Sequence, residues 1–334
     1  MSAFPVCAQS VDTASLPPVV VTASRLPQLQ SETLPHTTVI TSQQIRDSQA
    51  ADLPALLARE AGLQITQNGG PGASTGMFLR GADTRQTLVM IDGVPMTKQD
   101  ATGSVSIEHM MLDQIDHIEI VRGNVSSIYG SGAVGGVIQI FTKAASGATG
   151  MSATAEAGSR GTYRVSASTR GTADGVSYGL AVSDYRTDGF SAMNTRQIPT
   201  VNPDKDGYRN QTISGSVAKS WREGQELGLR FSNSVGTADY DASGSTTTKH
   251  ETHTEVNAIT LFSNNRITED WTSRLSYAQF SDDSLNRITA LSVTRERYQT
   301  RTQTAEWSNE LKLSSAWRAT AGANRQWQSL RQSG

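Results

Sequence analysis

The chain has 334 residues, enough for two domains, and its formal net charge of −2 lacks the basic excess typical of a nucleic-acid-binding protein. The single cysteine, Cys7, excludes a disulfide within the chain. No run of 18 apolar residues occurs, which excludes a transmembrane helix, but strands that expose one face to lipid keep the mean hydropathy low and remain compatible with the sequence.

The first 30 residues read as a processed leader followed by an arm. Residues 6–8, Val-Cys-Ala, form a small-residue pattern typical of the end of a signal peptide, and we expect a remnant whose upstream start was missed. An ordinary disordered N-terminus is the alternative.

Next comes an apolar segment of β-branched residues within a polar stretch: Pro18, Val19, Val20, Val21, Thr22 and Ala23. Such a segment favours an extended backbone and suits addition to the sheet edge of a partner, or else forms the first strand of the next domain.

Residues 31–147 mix helical and strand patterns, and we expect a compact α+β domain there. Apolar spacing predicts an amphipathic helix over residues 48–61. Residues 86–93 predict a buried strand that ends in an Asp92-Gly93 turn, and two further strands are predicted at 115–121 and 135–142.

Residues 148–334 change to segments of about ten residues with one apolar face. Tight connections near residues 174, 223 and 315 alternate with long ones at about 187–209, 236–252 and 282–300. Short turns at one rim and long loops at the other are typical of an outer-membrane β-barrel, although a soluble sandwich also alternates. Five aromatic residues near strand ends fit an interfacial girdle: Tyr178, Trp221, Trp271, Trp317 and Trp327. About nine strands are predicted, an odd number that leaves the antiparallel transmembrane barrel incomplete.

Two predicted loops on the same rim carry acidic residues. The first reads Asn-Pro-Asp-Lys-Asp-Gly-Tyr over residues 202–208, and the second holds Asp239, Asp241 and Glu251. Oxygen ligands from two neighbouring loops suit calcium, which accepts six to eight of them in a flexible cage. Merely solvated acidic loops are the alternative.

Several kinds of chemistry are excluded by spacing. The run from Asp204 is no EF-hand, because Gly215 occupies the twelfth position where a glutamate is needed. His250 and His253 have no further cysteine or histidine nearby to complete a zinc set. Ser131 has no histidine and aspartate partners in a triad order, and we expect no enzymatic activity.

Four motifs of the first domain, in this order and spacing, resemble the plug of TonB-dependent receptors. They are Phe-Leu-Arg-Gly at 78–81, Val-Met-Ile-Asp-Gly-Val-Pro at 89–95, Ile-Glu-Ile-Val-Arg-Gly at 118–123 and the glycine-rich run at 128–138. The segment 18–25 is similar to the family's energy-coupling box. The resemblance implies an α+β plug inside a transmembrane barrel of roughly 22 strands, in the bacterial outer membrane and in contact with its lipid. It further implies a monomer that imports a scarce nutrient, driven by a TonB-type inner-membrane energy-coupling protein that binds residues 18–23.

Within that family the plug is most similar to the cobalamin transporters, which implies a corrinoid cargo and calcium in the outer loops. Position by position, the resemblance places substrate contacts at Ser74, Gly76, Asp83, Ala101, Thr102 and Ala242. It places calcium ligands at Asn202, Asp204, Asp206, Tyr240, Asp241 and Glu251. Ser191 stands where the family has a further aspartate.

The domain boundaries that follow are 1–30 for the remnant and arm, 31–147 for the plug and 148–334 for about nine barrel strands.

Two alternatives for the function stay open. A ferric siderophore or haem receptor would keep the fold and change the cargo, and its loops would favour aromatic and basic contacts. A soluble β-rich adhesin or lectin with an N-terminal domain would share only the alternation of apolar and polar residues along the strands.

Overall fold

The computed structural model describes residues 36–99, 103–143, 149–314 and 317–334, together with the backbone of 19–20 and 28–29. Strands β1 (Val19–Val20) and β2 (Gln28–Leu29) pair antiparallel as a separate two-stranded sheet. The rest of the predicted energy-coupling box, Pro18 and residues 21–23, lies outside the described residues, and its role stays a prediction.

The plug is a mixed five-stranded sheet with a separate hairpin and three short helices. Its strands are β3 (His36–Ile40), β4 (Leu63–Gln67), β5 (Thr75–Leu79), β6 (Thr87–Ile91), β7 (Val94–Pro95), β8 (Ile115–Arg122) and β9 (Gly136–Thr142), and its helices are α1 (Ser42–Ser48), α2 (Leu53–Leu57) and α3 (Ser126–Tyr129). The sheet order is β3-β8-β9-β6-β7, with β4 and β5 forming the hairpin. The predicted strands at 86–93, 115–121 and 135–142 correspond to β6, β8 and β9. The expected turn after β6 is present, with positive φ at both Asp92 and Gly93.

The single helix predicted over residues 48–61 is wrong. Helix α1 ends where Gln49 adopts a left-handed conformation, and α2 is a separate five-residue helix capped by Asp52. Pro54 explains the break, because proline is tolerated in the first turn of a helix and disrupts its interior. The three leucines of α2 are nonetheless buried, so the apolar spacing correctly marked the face that packs in the core.

The second part of the chain is one antiparallel sheet of nine strands, as predicted, each paired with its sequence neighbour. The strands are β10 (Gly150–Ala157), β11 (Tyr163–Ala173), β12 (Val176–Phe190), β13 (Asp206–Arg222), β14 (Gln225–Tyr240), β15 (Lys249–Arg266), β16 (Trp271–Thr289), β17 (Val293–Lys312) and β18 (Arg318–Ser333). The sheet is open, because β10 and β18 are its edges and do not pair with each other in the described residues.

The connections differ between the two rims of this sheet. One rim carries the short connections at 174–175, 223–224, 267–270 and 313–317, and the other carries the loops at 158–162, 191–205, 241–248 and 290–292. A long loop at 282–300 was wrongly predicted, since only three residues separate β16 from β17. The polar residues of that stretch are instead paired across strands; Arg297 donates to both carboxylate oxygens of Asp283, at 2.8 and 2.5 Å.

The two faces of the nine-stranded sheet have opposite character because side chains alternate along each strand. The outward face exposes an apolar band that includes Leu180, Ile213, Leu261, Tyr277 and Trp307. The inward face is mostly small and polar, and four of its apolar residues join the core cluster of the plug: Val256, Ala258, Ala278 and Phe280.

The five aromatic residues of the predicted girdle are all exposed. Trp221, Trp271, Trp317 and Tyr178 lie at or near the rim of short connections, whereas Trp327 lies opposite Gln303, farther along the sheet. None of the helices in the described residues is long and apolar enough to cross a membrane.

Candidate functional site

Three carboxylates from two neighbouring outer loops form a cluster. Asp204 is the next-to-last residue of the loop 191–205, Asp206 begins β13, and Asp241 directly follows β14. One oxygen of each lies within 4.8 Å of the others. We call these three residues the acidic cluster.

Strand pairing and loop backbone bring the cluster together. Strands β13 and β14 are antiparallel, with Tyr208 opposite Ala238, so their outer ends lie side by side. The backbone N–H of Ala192 donates to Asp206 Oδ2 at 2.8 Å, and that of Met193 donates to Asp241 Oδ2 at 2.9 Å. Ser191 also donates its hydroxyl proton to Asp241 Oδ2, at 3.0 Å. Ser191 therefore lies at the cluster.

The charge of the acidic cluster is incompletely compensated. Asp206 is 2% exposed, and Oδ1 of Asp241 is buried without a hydrogen-bond partner in the described structure. Lys205 is adjacent in sequence, but its ammonium group lies 3.6 Å from Asp188, outside the cluster. Converging carboxylate oxygens, one of them an unpartnered acceptor, form the hard donor set that calcium prefers. The residues present thus fit a divalent cation.

The other three predicted calcium ligands have different contacts. Glu251 is not among the clustered carboxylates, and its side chain lies 3.5 Å from Arg287. The Tyr240 ring packs on His250 at 5.2 Å between centroids, and Asn202 donates its amide proton to the carbonyl of Thr248. Glu251 lies opposite Asp239 on the outward face of the sheet. Because side chains alternate along a strand, Glu251 therefore points away from the acidic cluster.

The plug loop between β4 and β5 lies against the acidic cluster. The loop is closed by a hydrogen bond from Asn68 N–H to the Ser74 carbonyl, at 3.0 Å. A Cβ at Gly70 would lie 3.6 Å from the carbonyl oxygen of Asp206, which is van der Waals contact. At Gly72, where φ is +76°, a Cβ would lie 2.2 Å from the ring of Tyr208, so only glycine fits. The plug and the barrel loops therefore meet directly beside the cluster.

Only some of the predicted substrate contacts lie beside the plug loop and the acidic cluster. Ser74 is exposed in the loop, and Gly76 lies in β5, where a Cβ would lie 2.6 Å from the hydroxyl of Thr66. Asp83 is exposed beyond the far end of β5 and begins the turn Thr84–Gln86. Ala242 directly follows the acidic cluster and is half-buried. The remaining pair, Ala101 and Thr102, lies outside the described residues.

Tyr208 connects the barrel to the plug and was not singled out from the sequence. Its hydroxyl lies 3.0 Å from His109 Nδ1, 3.1 Å from the Glu108 carbonyl and 3.0 Å from Asn210 Nδ2. All three contacts are satisfied if the hydroxyl donates to the Glu108 carbonyl and accepts from His109 and Asn210. This assignment places the proton of the neutral imidazole on Nδ1 of His109.

Burial keeps the plug side of this contact uncharged. It lowers the pKa of His109 to about 3, with the nearby charge of Lys98 adding to the effect. Burial likewise raises the pKa of the Glu108 carboxyl to about 8. Both side chains are therefore neutral at pH 7, and no sequence pattern distinguishes them from ordinary polar residues.

A separate cavity lies away from this site. It has a volume of about 1030 Å³ and lies between α1 of the plug and the inward face of β10 to β13. Charged groups line it, including Arg46, Asp113 and Lys143, but it is lined by none of the predicted substrate or calcium residues.

Comparison with known proteins identifies the family. Residues 30–137 match the model of the TonB-dependent receptor plug domain. The chain is 36% identical over 284 residues to the vitamin B12 transporter BtuB of Vibrio cholerae serotype O1, covering 80% of this chain and 46% of that protein. It is 30% identical over 316 residues to BtuB of Photobacterium profundum, covering 92% of this chain and 50% of the relative. This chain belongs to the TonB-dependent receptors.

Solved receptors share the fold. The pyoverdine outer-membrane receptor FpvA of Pseudomonas aeruginosa PAO1, bound to pyoverdine, superimposes with a TM-score of 0.75 at 14% identity, over 96% of this chain and 51% of that one. The nine-stranded sheet of this TonB-dependent receptor is accordingly an incomplete barrel around the plug. The chain spans about half the length of the curated relatives that it matches. Its place is the bacterial outer membrane, with the rim of longer loops on the outside.

Proposed function

We propose that this chain is part of a receptor that imports a corrinoid, cobalamin or a relative of it, across the outer membrane by an energy-coupled mechanism. The observation that carries the proposal is the contact of the plug loop with the acidic cluster, where Gly70 meets Asp206. A ligand held between the outer loops and the plug at this point would contact both parts of the receptor.

Two observations favour a corrinoid over other cargo. The relatives at 30–36% identity are named as vitamin B12 transporters, whereas the siderophore receptors among the solved structures share only the fold. The outer loops carry a cluster of three aspartates, whereas a ferric siderophore would favour aromatic and basic contacts. A ferric siderophore or haem receptor is the alternative.

The proposed role of calcium is to hold the two acidic loops together. A cation between Asp204, Asp206 and Asp241 would compensate their charge and give the buried oxygen of Asp241 a partner. Since Ala192 and Met193 donate to the same carboxylates, the loop 191–205 would become ordered together with the loop 241–248.

Energy coupling is assigned to the arm that contains the box at residues 18–23. A TonB-type partner would pair with this segment by strand addition, in competition with the short β1–β2 pairing. Cargo on one side of the plug and the partner on the other would then be linked as two coupled sites. The proposal requires no covalent chemistry and assigns no enzymatic activity; it takes the receptor to act as a monomer in outer-membrane lipid.

Ligand titration tests the cargo. The complete receptor, purified in detergent with calcium, is titrated with cyanocobalamin, cobinamide, a ferric siderophore and haemin, and intrinsic fluorescence is followed. We expect saturable binding of the two corrinoids and none of the iron-bearing ligands. Binding of a ferric siderophore without either corrinoid would establish the alternative cargo and reject this one.

A further inference from the structure

Two carboxyl groups and one ammonium group meet where the plug packs against β16. Glu108 lies in the buried turn Ile107–His109 of the plug, Lys98 follows β7, and Asp282 lies on the inward face of β16. The ammonium group of Lys98 lies 3.6 Å from Asp282 Oδ1. Lys98 and Asp282 are also the charged side chains that act on the Glu108 carboxyl. The junction therefore carries one positive charge for two acidic groups.

The surroundings stabilise a negative charge better on Asp282 than on Glu108. Asp282 Oδ1 accepts a hydrogen bond from the Ser284 hydroxyl, at 2.8 Å, in addition to its ion pair with Lys98. Lys98 also donates to Ser284 Oγ, at 3.4 Å, which holds the ammonium group on the Asp282 side. Oε2 of Glu108 and Oδ2 of Asp282 are buried and have no hydrogen-bond partner among the described residues. Asp282 is therefore the better-stabilised anion of the two.

A proton on Glu108 would satisfy the hydrogen bonds around it. The hydroxyl of Thr75 is a hydrogen-bond partner of the Glu108 carboxyl, and it also lies 3.3 Å from the carbonyl oxygen of Ala73. A hydroxyl has a single proton to donate. An ionised Glu108 competes with Ala73 for that proton, whereas a protonated Glu108 donates to the hydroxyl and leaves its proton for Ala73. The neutral carboxyl is the form that this geometry satisfies.

The other titratable groups at this turn do not supply the missing positive charge. His109 is neutral, because burial lowers its pKa to about 3, and the phenol of Tyr208, which donates to the Glu108 carbonyl, carries no charge at neutral pH. Burial raises the pKa of the Glu108 carboxyl to about 8, an effect that Asp282 strengthens and Lys98 opposes. An ionised Glu108 would leave an uncompensated negative charge in the interior.

We propose that Glu108 is a proton-binding site at the junction of plug and barrel: the plug docks with a proton on this carboxyl, and loss of the proton loosens the docking. The turn that carries Glu108 also contacts β13, through Tyr208, and β14, through Gly236 beside His109. A charge on Glu108 therefore acts on a part of the plug that packs against three barrel strands. The proposal concerns docking alone and holds for any cargo.

The pH range of the effect follows from the two states of Glu108. A carboxyl whose pKa is higher in the docked plug than in the undocked chain favours docking only while it keeps its proton. Docking should weaken as the pH rises from about 4.5, the ordinary value for a glutamate, through 8. A single proton changes the docking equilibrium by about tenfold per pH unit within this range.

Infrared spectroscopy on the complete receptor, purified in detergent with calcium, tests the protonation directly. A protonated carboxyl has a carbonyl band that a carboxylate lacks, and the difference spectrum between pH 7 and pH 9.5 isolates it. We expect wild type to lose such a band with a midpoint near pH 8. The loss should be absent in Glu108→Gln and present in Glu269→Gln, a matched control in the exposed connection 267–270. Identical difference spectra for wild type and Glu108→Gln would overturn the proposal.

Hydrogen exchange on the same receptor tests the effect on docking. Protection factors at residues 107–109, corrected for the intrinsic pH dependence of exchange, are compared at pH 7 and pH 9. Protection should fall at least fivefold more in wild type and in Glu269→Gln than in Glu108→Gln, because glutamine is a neutral isostere of the protonated carboxyl. Equal falls in wild type and Glu108→Gln would assign the effect to another group, such as His117, and reject Glu108 as its source.

Lys98→Met tests whether the three groups act as one cluster. Removal of the ammonium group makes an ionised Glu108 less favourable, so the infrared midpoint should move to higher pH. Asp47→Asn, which removes an exposed charge from α1 of the plug, should leave the midpoint unchanged. An unchanged midpoint in Lys98→Met, with the band still assigned to Glu108, would contradict the part of the proposal that places Glu108 beside the Lys98–Asp282 ion pair.

Discussion

The hydroxyl of Tyr208, on barrel strand β13, lies 3.0 Å from Nδ1 of the buried plug residue His109. Tyr208 also packs on Gly72 of the plug loop, and Asp206 of the acidic cluster lies two residues earlier on the same strand. Because residues two apart share a face of a strand, the site of the proposed cation and the plug contact are connected through one short rigid segment.

Removal of the Tyr208 hydroxyl should weaken plug docking. In Tyr208→Phe the Glu108 carbonyl loses a donor and the buried His109 ring loses an acceptor, and each unsatisfied buried group costs about 1–3 kcal/mol, whereas the Asn210 amide keeps two other acceptors. We expect faster hydrogen exchange at residues 107–109, measured by mass spectrometry on the complete receptor. Tyr163→Phe, at an exposed tyrosine on β11, is the control and should leave that exchange unchanged. Equal protection in the two variants would show that the hydroxyl does not hold the plug.

A methyl group at Gly236 should have a similar effect by steric overlap. A Cβ there would lie 2.2 Å from His109 Nδ1, so Gly236→Ala forces the plug segment or β14 to shift, at a cost of about 1–3 kcal/mol. Gly132→Ala is the matched control, because its Cβ would meet only Leu88, at 4.0 Å. Thermal unfolding should show a lower midpoint for the first variant alone. A wild-type midpoint in Gly236→Ala would mean that the plug is not packed against β14 as described.

The plug should lose stability at alkaline pH through His117. Burial by itself lowers the pKa of this imidazole, but hydrogen bonds from it to Asp116 and Glu119 outweigh burial and raise the pKa to about 9. A histidine whose folded pKa lies above its unfolded value stabilises the fold fully below about pH 6.5. That contribution, on the order of 3 kcal/mol, is lost as the pH rises from about 6.5 through 9.

The difference in unfolding midpoint between wild type and His117→Gln measures this contribution. It should be large at pH 6 and shrink toward pH 9.5, while the ring's stacking on Phe141, at 4.3 Å, contributes at every pH. A difference that stays constant over this range would show that the imidazole is not charged in the folded plug.

Much of the fold follows from the sequence because alternation with a period of two is a direct consequence of strand geometry. It located the nine strands and the buried strands β6, β8 and β9. It failed at residues 282–300, where the outward positions above the apolar band are polar and resemble a loop although they are paired. The prediction of one helix over 48–61 was wrong because Pro54 lies in the first turn of a short helix, α2. The apolar spacing continues on both sides of this helix and so suggested a longer one.

The candidate site was predictable only in part. The proximity of Asp204, Asp206 and Asp241 could be predicted because the ends of neighbouring antiparallel strands bring their loops together. Glu251 does not lie with them because its register on β15 turns it outward, opposite Asp239. His109 and Tyr208 are about 100 residues apart in sequence, and their contact depends on how the plug packs in the barrel, which no local pattern encodes.

The calcium dependence of corrinoid affinity tests the central claim most directly. The dissociation constant of the complete receptor for cyanocobalamin is measured in calcium and in a calcium chelator, for wild type, for Asp206→Asn with Asp241→Asn, and for Asp239→Asn as an outward-facing control. We predict that calcium raises the affinity at least tenfold in wild type and in the control, and has no effect on the double variant. An affinity that is the same with and without calcium in wild type, or a calcium effect that survives in the double variant, would contradict the account.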